Sequence, residues 1–298
     1  GMVSSAFGFA TGFDEFEARG LGRDDAWGGP FDGLLERLAA RDAERPVFLF
    51  VQSYRVHGPY QQDGRFADPG YDGPLAGRDL TTDEISRLAE QGLLDENDWS
   101  YVRALYDAGI ARFDEALAPF LAGLDEALDG QPVLVILTSD HGEELGERGR
   151  CGHGHSLHDE LTRVPLVVAW PDGADVGRDP SPVSHVDLLP TVLDVLGLEA
   201  DPGLSGRSIR ALPRGSQHRH DAHAAWLDGW KWIEGPMGVQ GKPRDMAALY
   251  ATGVDAQERH DLAEREPDRA ARLAQRLAAW RREHGPRDLV GTAAGSLD

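Results

Sequence analysis

Three short apolar runs stand out along the chain, and each is bounded by Pro, Gly or polar residues. They are VFLFV at 47–51, VLVIL at 133–137 and VPLVVAW at 164–170. Because the runs are short and rich in β-branched or aromatic residues, they predict buried strands rather than helices. None approaches the roughly 20 residues that a helix needs to cross a bilayer, so we expect no membrane partner.

Apolar residues recur at helical spacing between and after these runs. The longest such pattern covers 98–128, and a second covers 186–197. Apolar positions three and four residues apart predict helices with one buried face, and Gly130 supplies a stop for the first helix. Strands that alternate with helices predict an α/β domain over residues 1–213, with a mainly parallel or mixed sheet between helices.

The pattern changes around 213–220, where the sequence PRGSQHRH marks a boundary. Beyond it, the segments 221–235 and 246–251 alternate like short antiparallel strands. Residues 267–284 follow the pattern of an amphipathic helix that is opened by a proline. We therefore expect a small C-terminal α+β subdomain over residues 214–298, and we expect its last residues to fray.

Charge narrows the choice of partners. The chain has 51 acidic and 30 basic residues, which gives a formal net charge of -21. Such a charge repels a phosphate backbone, so we expect no nucleic-acid partner. The one cysteine, Cys151, allows no internal disulfide and leaves the cellular compartment open.

Polar residues with metal-binding or acid–base chemistry follow two of the predicted strands. His57 comes after the first run, and Asp140 and His141 come directly after the second. Functional residues gather at the carboxyl ends of strands in open α/β sheets, so we expect all three at one rim. A carboxylate and an imidazole suit Ca²⁺ or Mg²⁺ where carboxylates dominate, and Zn²⁺ or Mn²⁺ where nitrogen does. By themselves they also fit an ordinary turn.

Five stretches of the chain, taken in order, resemble successive blocks of the sulfatase family within the alkaline phosphatase superfamily. The resemblance implies an alkaline phosphatase-like fold and hydrolysis of a sulfate ester, either a small molecule or a glycan. The stretches are FLFVQSYRVHGPY, LYDAGIARFDEAL, VILTSDHGEELGERG, GHGHSLHDELTRVPLVV and VSHVDLLPTVLDVLGL.

The resemblance also implies a role for individual residues. Asp140 and His141 match metal ligands, and the metal is Ca²⁺ or Mg²⁺. His57 matches the histidine that donates a proton to the leaving group. His153 matches the Lys or His that touches the sulfate oxygens. We interpret the nearby His155 and His158 as neighbours of the site, with His158 capping the turn that follows it.

One part of the family pattern does not occur in these 298 residues. The family carries, on its N-terminal side, two acidic metal ligands and a Cys-x-Pro-Ser-Arg or Ser-x-Pro-Ser-Arg motif whose first residue becomes formylglycine. Cys151 is not followed by the Pro and Arg of this motif, so no nucleophile is assigned. We expect formylglycine only in a missing segment. We therefore expect weak or no metal binding and little or no turnover from this chain alone, and an unpaired sheet edge that favours a homo-oligomer.

Two other functions fit the same residues. A phosphatase or phosphonate monoester hydrolase of the same superfamily shares the Asp-His and His motifs, and a non-catalytic binding module could keep the fold without a nucleophile. The sequence does not separate sulfate from phosphate esters.

Overall fold

The fold comes from a computed structural model, in which the chain divides into two compact units. The first unit comprises residues 1–132 and 144–152, and the second comprises residues 133–143 and 153–298. Within these units the structure describes residues 5–17, 31–62, 65–78, 81–174, 177–179, 181, 183–211, 219–221, 224–239 and 242–284.

The first unit contains three α-helices among its described residues. They are α1 (Leu34–Ala40), α2 (Thr82–Glu90) and α3 (Glu96–Ala127). The side chains of Thr81 and Asp95 accept hydrogen bonds from first-turn N–H groups of α2 and α3, and these two helices each begin with a full capping box. These caps satisfy backbone donors that have no partner inside the helix.

Helix α3 confirms the helix predicted over 98–128, and one of its faces carries the core of the first unit. Val102 is fully buried and Leu105 nearly so, whereas Ile110 and Leu121 of the same apolar pattern are exposed. The pattern therefore identified the helix correctly but overestimated the width of its buried face. The core cluster consists of Tyr60, Leu75, Ile85, Trp99, Val102, Leu105 and Cys151.

The first unit also contains a short hairpin whose two strands have two residues each. Strand β2 (Glu144–Leu145) pairs antiparallel with β3 (Cys151–Gly152). Between them Gly146 has a φ of 112°, and a Cβ at this position would lie 2.7 Å from the Trp99 ring. The turn therefore needs a residue without a side chain here.

The strand predicted at 47–51 does not form. Residues 46–54 lie in no helix or strand, and the side chains from Val47 to Phe50 are 41–66% exposed. The Phe48 and Phe50 rings contact Phe13 and Phe9, with centroids 5.9 and 6.5 Å apart. The prediction of a buried strand was wrong because apolar composition indicates that a segment can be buried, whereas a strand also needs a neighbour, and the described residues supply none.

The second unit begins with the run predicted at 133–137. Strand β1 (Val135–Thr138) pairs antiparallel with β4 (Leu166–Ala169), with Val135 opposite Ala169 and Thr138 opposite Leu166. The short helix α4 (Asp159–Thr162) precedes β4. Helix α5 (Leu188–Val195) confirms the helix predicted at 186–197 and follows a 3₁₀ turn.

The C-terminal part of the second unit is a four-stranded antiparallel sheet followed by a helix. The strands are β5 (Arg219–Asp221), β6 (Ala224–Leu227), β7 (Trp230–Val239) and β8 (Lys242–Tyr250), in that spatial order. Helix α6 (Pro267–His284) begins at the predicted proline. Its Leu273 and Leu277 pack with Trp232 and Leu249 of the sheet in one buried cluster.

The structure is α/β, with helices and small sheets, whereas the prediction was one mainly parallel or mixed sheet between helices. Every strand pair in the described residues is antiparallel. The predicted division at residue 213 stays a prediction, and residues 212–218 and 285–298 lie outside those described. Among the described helices, none has the length and apolar character needed to cross a membrane.

Candidate functional site

The turn after β1 carries the two predicted metal ligands. Its backbone is fixed by Ser139, whose Oγ donates to the His141 carbonyl at 2.6 Å, and by Asp140, whose Oδ1 accepts from the His141 N–H at 3.1 Å. The Asp140 side chain is 61% exposed. The turn therefore presents a carboxylate to solvent from a backbone that is tied down by its own hydrogen bonds.

The hydrogen bond of the His141 ring decides which ring nitrogen can bind a cation. Nδ1 lies 2.8 Å from the carbonyl oxygen of Gly142. A carbonyl can only accept, so the proton sits on Nδ1 and the neutral ring keeps a lone pair on Nε2. Nε2 is 3.9 Å from Oδ2 of Asp140. One carboxylate oxygen and one imidazole nitrogen are thus placed side by side.

His153 lies directly against this pair. Its ring stacks on that of His141, with centroids 3.8 Å apart and planes 29° from parallel. Its Nδ1 is 2.8 Å from Oε1 of Glu143, a carboxylate whose side chain is only 4% exposed. The hydrogen bond to Glu143 raises the pKa of His153 above its ordinary value, and burial opposes this rise. Glu143 therefore favours the cationic form of His153.

The sequence interpretation did not single out Glu143. It lies two residues after His141 in the stretch SDHGEE, where two consecutive glutamates differ in role. Glu143 bonds a histidine ten positions later, whereas Glu144 is fully buried and pairs with Arg148. Both glutamates differ from surface acids in being buried, and the amino-acid sequence alone does not show which acidic residues are buried.

A buried ionic cluster surrounds the start of α4, and no pattern in the sequence indicates it. Lys231 of β7 has no exposed side-chain surface and lies 2.7 Å from Asp159 and 2.8 Å from Glu258. Oε2 of Glu258 lies 2.9 Å from Nδ1 of His158. His158 stands at the N-cap position of α4, but its side chain makes no capping bond. The expectation that it caps the turn was wrong, because its ring is taken by Glu258.

The other residues considered in the sequence analysis lie outside the group formed by Asp140, His141 and His153. His57 belongs to the first unit, is exposed, and has Nδ1 2.5 Å from the Gly58 carbonyl oxygen. Asp140, His141 and His153 come together in the second unit, and their sharing of a rim with His57 stays a prediction. His155 lies half-buried in the loop after His153. Cys151 is buried in the first unit, with its Sγ 4.0 Å from the Tyr60 hydroxyl.

Comparison with known proteins identifies the family. The sulfatase family model matches residues 11–198, a range that includes all four predicted site residues. Mouse steryl-sulfatase is 33% identical over 69% of this chain and 32% of its own length. The uncharacterized sulfatase YidJ of Escherichia coli K12 is 30% identical over 74% of this chain and 47% of its own length. The chain belongs to the sulfatase family, and it spans about a third to a half of these relatives.

Solved structures agree with the family at the level of the fold. A protein solved with its substrate D-glucosamine-2-N,6-O-disulfate aligns at a TM-score of 0.52 and 19% identity, covering 69% of this chain and 46% of that one. The phosphonate monoester hydrolase of Silicibacter pomeroyi aligns at a TM-score of 0.52 and 20% identity, covering 65% and 44%. The chain therefore shares part of the fold of these alkaline phosphatase-superfamily sulfatases and phosphonate hydrolases.

Proposed function

We propose that this chain forms part of the active site of a sulfate ester hydrolase, namely the leaving-group side and a share of the metal shell. The observation that carries the proposal is the grouping of Asp140, His141 and His153 around one turn. The names of the curated relatives support it, since they are sulfatases.

The turn after β1 has donors that fit a divalent cation. Oδ2 of Asp140 and Nε2 of His141 are 3.9 Å apart, a separation that two ligands of one ion can adopt when each lies about 2.3–2.6 Å from it. Ca²⁺ or Mg²⁺ held there would supply a positive charge for a sulfate oxygen. The two side chains provide only two ligand atoms, so further oxygen ligands must complete the shell.

His153 would add a second positive charge beside the first. With Nδ1 held by Glu143, the ring is fixed in orientation and its pKa is raised. An imidazolium donates from both ring nitrogens, so Nε2–H can hydrogen-bond a sulfate oxygen. In this proposal Glu143 orients His153, and His153 helps to bind the anionic group.

His57 would act at the departing oxygen. Its Nδ1 faces the Gly58 carbonyl at 2.5 Å, so the proton for the leaving group would come from Nε2 of the protonated ring. An alkoxide is a poor leaving group, and donation of a proton lets the departing oxygen leave as a neutral alcohol. The role of His57 rests on the family resemblance and on its exposure to solvent.

The substrate is proposed to be the sulfate ester of a small molecule or a glycan. Steryl-sulfatase and arylsulfatase K are among the relatives by name, and one structural neighbour was solved with a sulfated glucosamine. Formylglycine is expected only if the complete reading frame encodes the motif that these 298 residues lack. Tested alone, these residues should bind metal weakly and show little or no turnover.

A phosphatase or phosphonate monoester hydrolase is the second candidate. It is favoured by two structural neighbours, from Silicibacter pomeroyi and Agrobacterium radiobacter, with TM-scores of 0.52 and 0.51. A non-catalytic binding module is the third candidate, and it keeps the same anion-binding residues without turnover.

The test combines the coding DNA upstream of Met2 with an assay of the complete reading frame. We expect an in-frame Cys-x-Pro-Ser-Arg or Ser-x-Pro-Ser-Arg and hydrolysis of nitrophenyl sulfate that Asp140→Ala abolishes, while the exposed Asp201→Ala does not. A Ser or Thr nucleophile with faster cleavage of phosphate or phosphonate esters would support the second candidate. A stop codon, or binding of these esters without hydrolysis, would support the third.

A further inference from the structure

Lys231 is the most deeply buried charge in the described part of the second unit, and it joins two distant carboxylates. Its Nζ donates to Oδ1 of Asp159 at 2.7 Å. It also forms an ion pair with Oε1 of Glu258 at 2.8 Å, without hydrogen-bond geometry. Neither Lys231 nor Glu258 exposes any side-chain surface. Charges this far from water are retained only when they are paired.

Glu258 ties the same cluster to the start of α4. Its Oε2 accepts from the backbone N–H of Asp159 at 3.1 Å and lies 2.9 Å from Nδ1 of His158. The His158 ring meets Tyr250 edge to face, with centroids 5.5 Å apart. Two consecutive residues of the α4 start are therefore held by one buried carboxylate, and one of them is also held by Lys231.

Helix α4 in turn holds the turn that carries the proposed metal ligands. The N–H of Gly142 donates to the Leu161 carbonyl at 2.8 Å. The backbones touch so closely that a Cβ on Gly142 would lie 2.0 Å from the Glu160 carbonyl oxygen. Because Gly142 follows His141 directly, any displacement of α4 moves the backbone next to the His141 ring.

We infer that Lys231 is a positioning residue for the Asp140–His141 turn and acts through Asp159, Glu258 and α4. An effect of Lys231 on metal binding rests on the proposed function. An effect of Lys231 on the position of Gly142 does not. His158, Glu160 and Glu258 also place ligand atoms within 4.8 Å of one another, as a metal site would. The ammonium of Lys231 already supplies a positive charge to these residues. We therefore interpret the cluster as an anchor for α4 and not as a metal site.

Amide exchange at Gly142 tests the anchor directly. In Lys231→Met, we expect the exchange rate of the Gly142 amide to rise by roughly tenfold or more, while amides of β1 and β4 exchange as in the wild type. The matched control is Arg281→Met, which removes another ion pair of β7, to Glu234 at 2.6 Å, and has no link to α4 in the described contacts. It should leave Gly142 unchanged.

Metal affinity gives a second readout that a purely structural role would not move. If the turn is anchored as inferred, Ca²⁺ should bind Lys231→Met roughly tenfold more weakly than the wild-type chain, whereas Arg281→Met should bind as the wild type does. These residues alone are expected to bind Ca²⁺ or Mg²⁺ weakly or not at all, so a wild-type chain without detectable binding would give no affinity readout. The Gly142 exchange rate would then decide the anchoring by itself.

Two results would overturn the inference. One is a Gly142 amide that exchanges at the wild-type rate in Lys231→Met, and the other is equal acceleration at Gly142, β1 and β4, which would indicate general loosening. If Lys231→Met does not fold, Asp159→Asn breaks the same link at a side chain that is 20% exposed, and the same criteria apply. Tighter binding of Zn²⁺ by Lys231→Met with Gly142 unchanged would assign the cluster to metal instead.

Discussion

Oε1 of Glu143 lies 2.8 Å from Nδ1 of His153. This contact orients the ring of the histidine that stacks on His141, and it raises the pKa of that ring. A buried carboxylate beside an imidazole favours the protonated ring, because the charge on the ring offsets that of the acid. In the proposed site, Glu143 therefore acts through His153 and need not touch the substrate.

The first prediction concerns the titration of His153. In the metal-free chain its pKa should lie above the ordinary 6.5, and Glu143→Gln should lower it, because the carboxylate that favours the charged ring is gone. NMR titration of the ring protons measures this. The exposed Glu199→Gln is the control and should leave the pKa of His153 unchanged. An equal pKa in wild type and Glu143→Gln would contradict the role of Glu143.

The same contact gives a pH dependence of stability with a definite sign. Because the pKa of His153 is raised in the folded chain, its contribution to the free energy of unfolding is fully present below the unfolded pKa. It is lost as the pH rises through the folded pKa. Denaturant unfolding from pH 5 to 9 should show this loss in the wild type, and Glu143→Gln should show less of it.

The second prediction concerns the fit between the metal-ligand turn and α4. Gly142→Ala should destabilise the second unit by about 1–3 kcal/mol, because its Cβ would meet the Glu160 carbonyl oxygen. Gly253→Ala is the matched control, since a Cβ there meets nothing within 4 Å. Chemical denaturation compares the two variants. Similar stability for both would mean that the turn moves away from α4 without cost.

Some features of the fold followed from periodicity, and others could not. Helices α3 and α6 have long apolar stripes and clear start or stop signals, so their bounds were predicted within a few residues. Strand pairing is harder to predict, because the sequence of a strand does not specify which other strand it pairs with. For this reason the strand at 47–51 was mispredicted, and the antiparallel pairing of β1 with β4 was not predicted.

The candidate site shows the same division. Asp140, His141 and His153 were proposed because they lie in family blocks with fixed spacing, and the structure brings these three side chains together. Glu143 and Lys231 were missed because their importance comes from burial, and a glutamate or a lysine in a sequence is normally a solvated surface residue. Only tertiary structure brings Lys231 to Asp159.

The third prediction tests the packing of α6 on the C-terminal sheet. Leu273→Ala should lower the free energy of unfolding by about 2–5 kcal/mol, because this side chain is only 1% exposed in the cluster with Trp232 and Leu249. Gln275→Ala, on the exposed face of the same helix, should change it by less than about 0.5 kcal/mol. Equal effects would contradict the described orientation of α6.

The fourth prediction concerns self-association. The apolar side chains from Val47 to Phe50 are exposed, and an apolar segment without a strand partner can pair with a second copy. Light scattering should show a homo-oligomer that the double change Phe48→Ser and Phe50→Ser disrupts. Phe66→Ser, at another exposed ring, should not disrupt it. A strictly monomeric wild-type chain at every concentration would contradict this prediction.

The most direct test of the central claim is a titration with Mn²⁺ followed through the histidine ring signals by NMR. Bound Mn²⁺ broadens nearby protons, so weak binding is detectable. If Asp140, His141 and His153 form part of a sulfatase metal site, the His141 and His153 signals broaden first, before that of the exposed His185, and Asp140→Asn removes this preference. Equal broadening of all three histidines, or no effect of Asp140→Asn, would contradict the account.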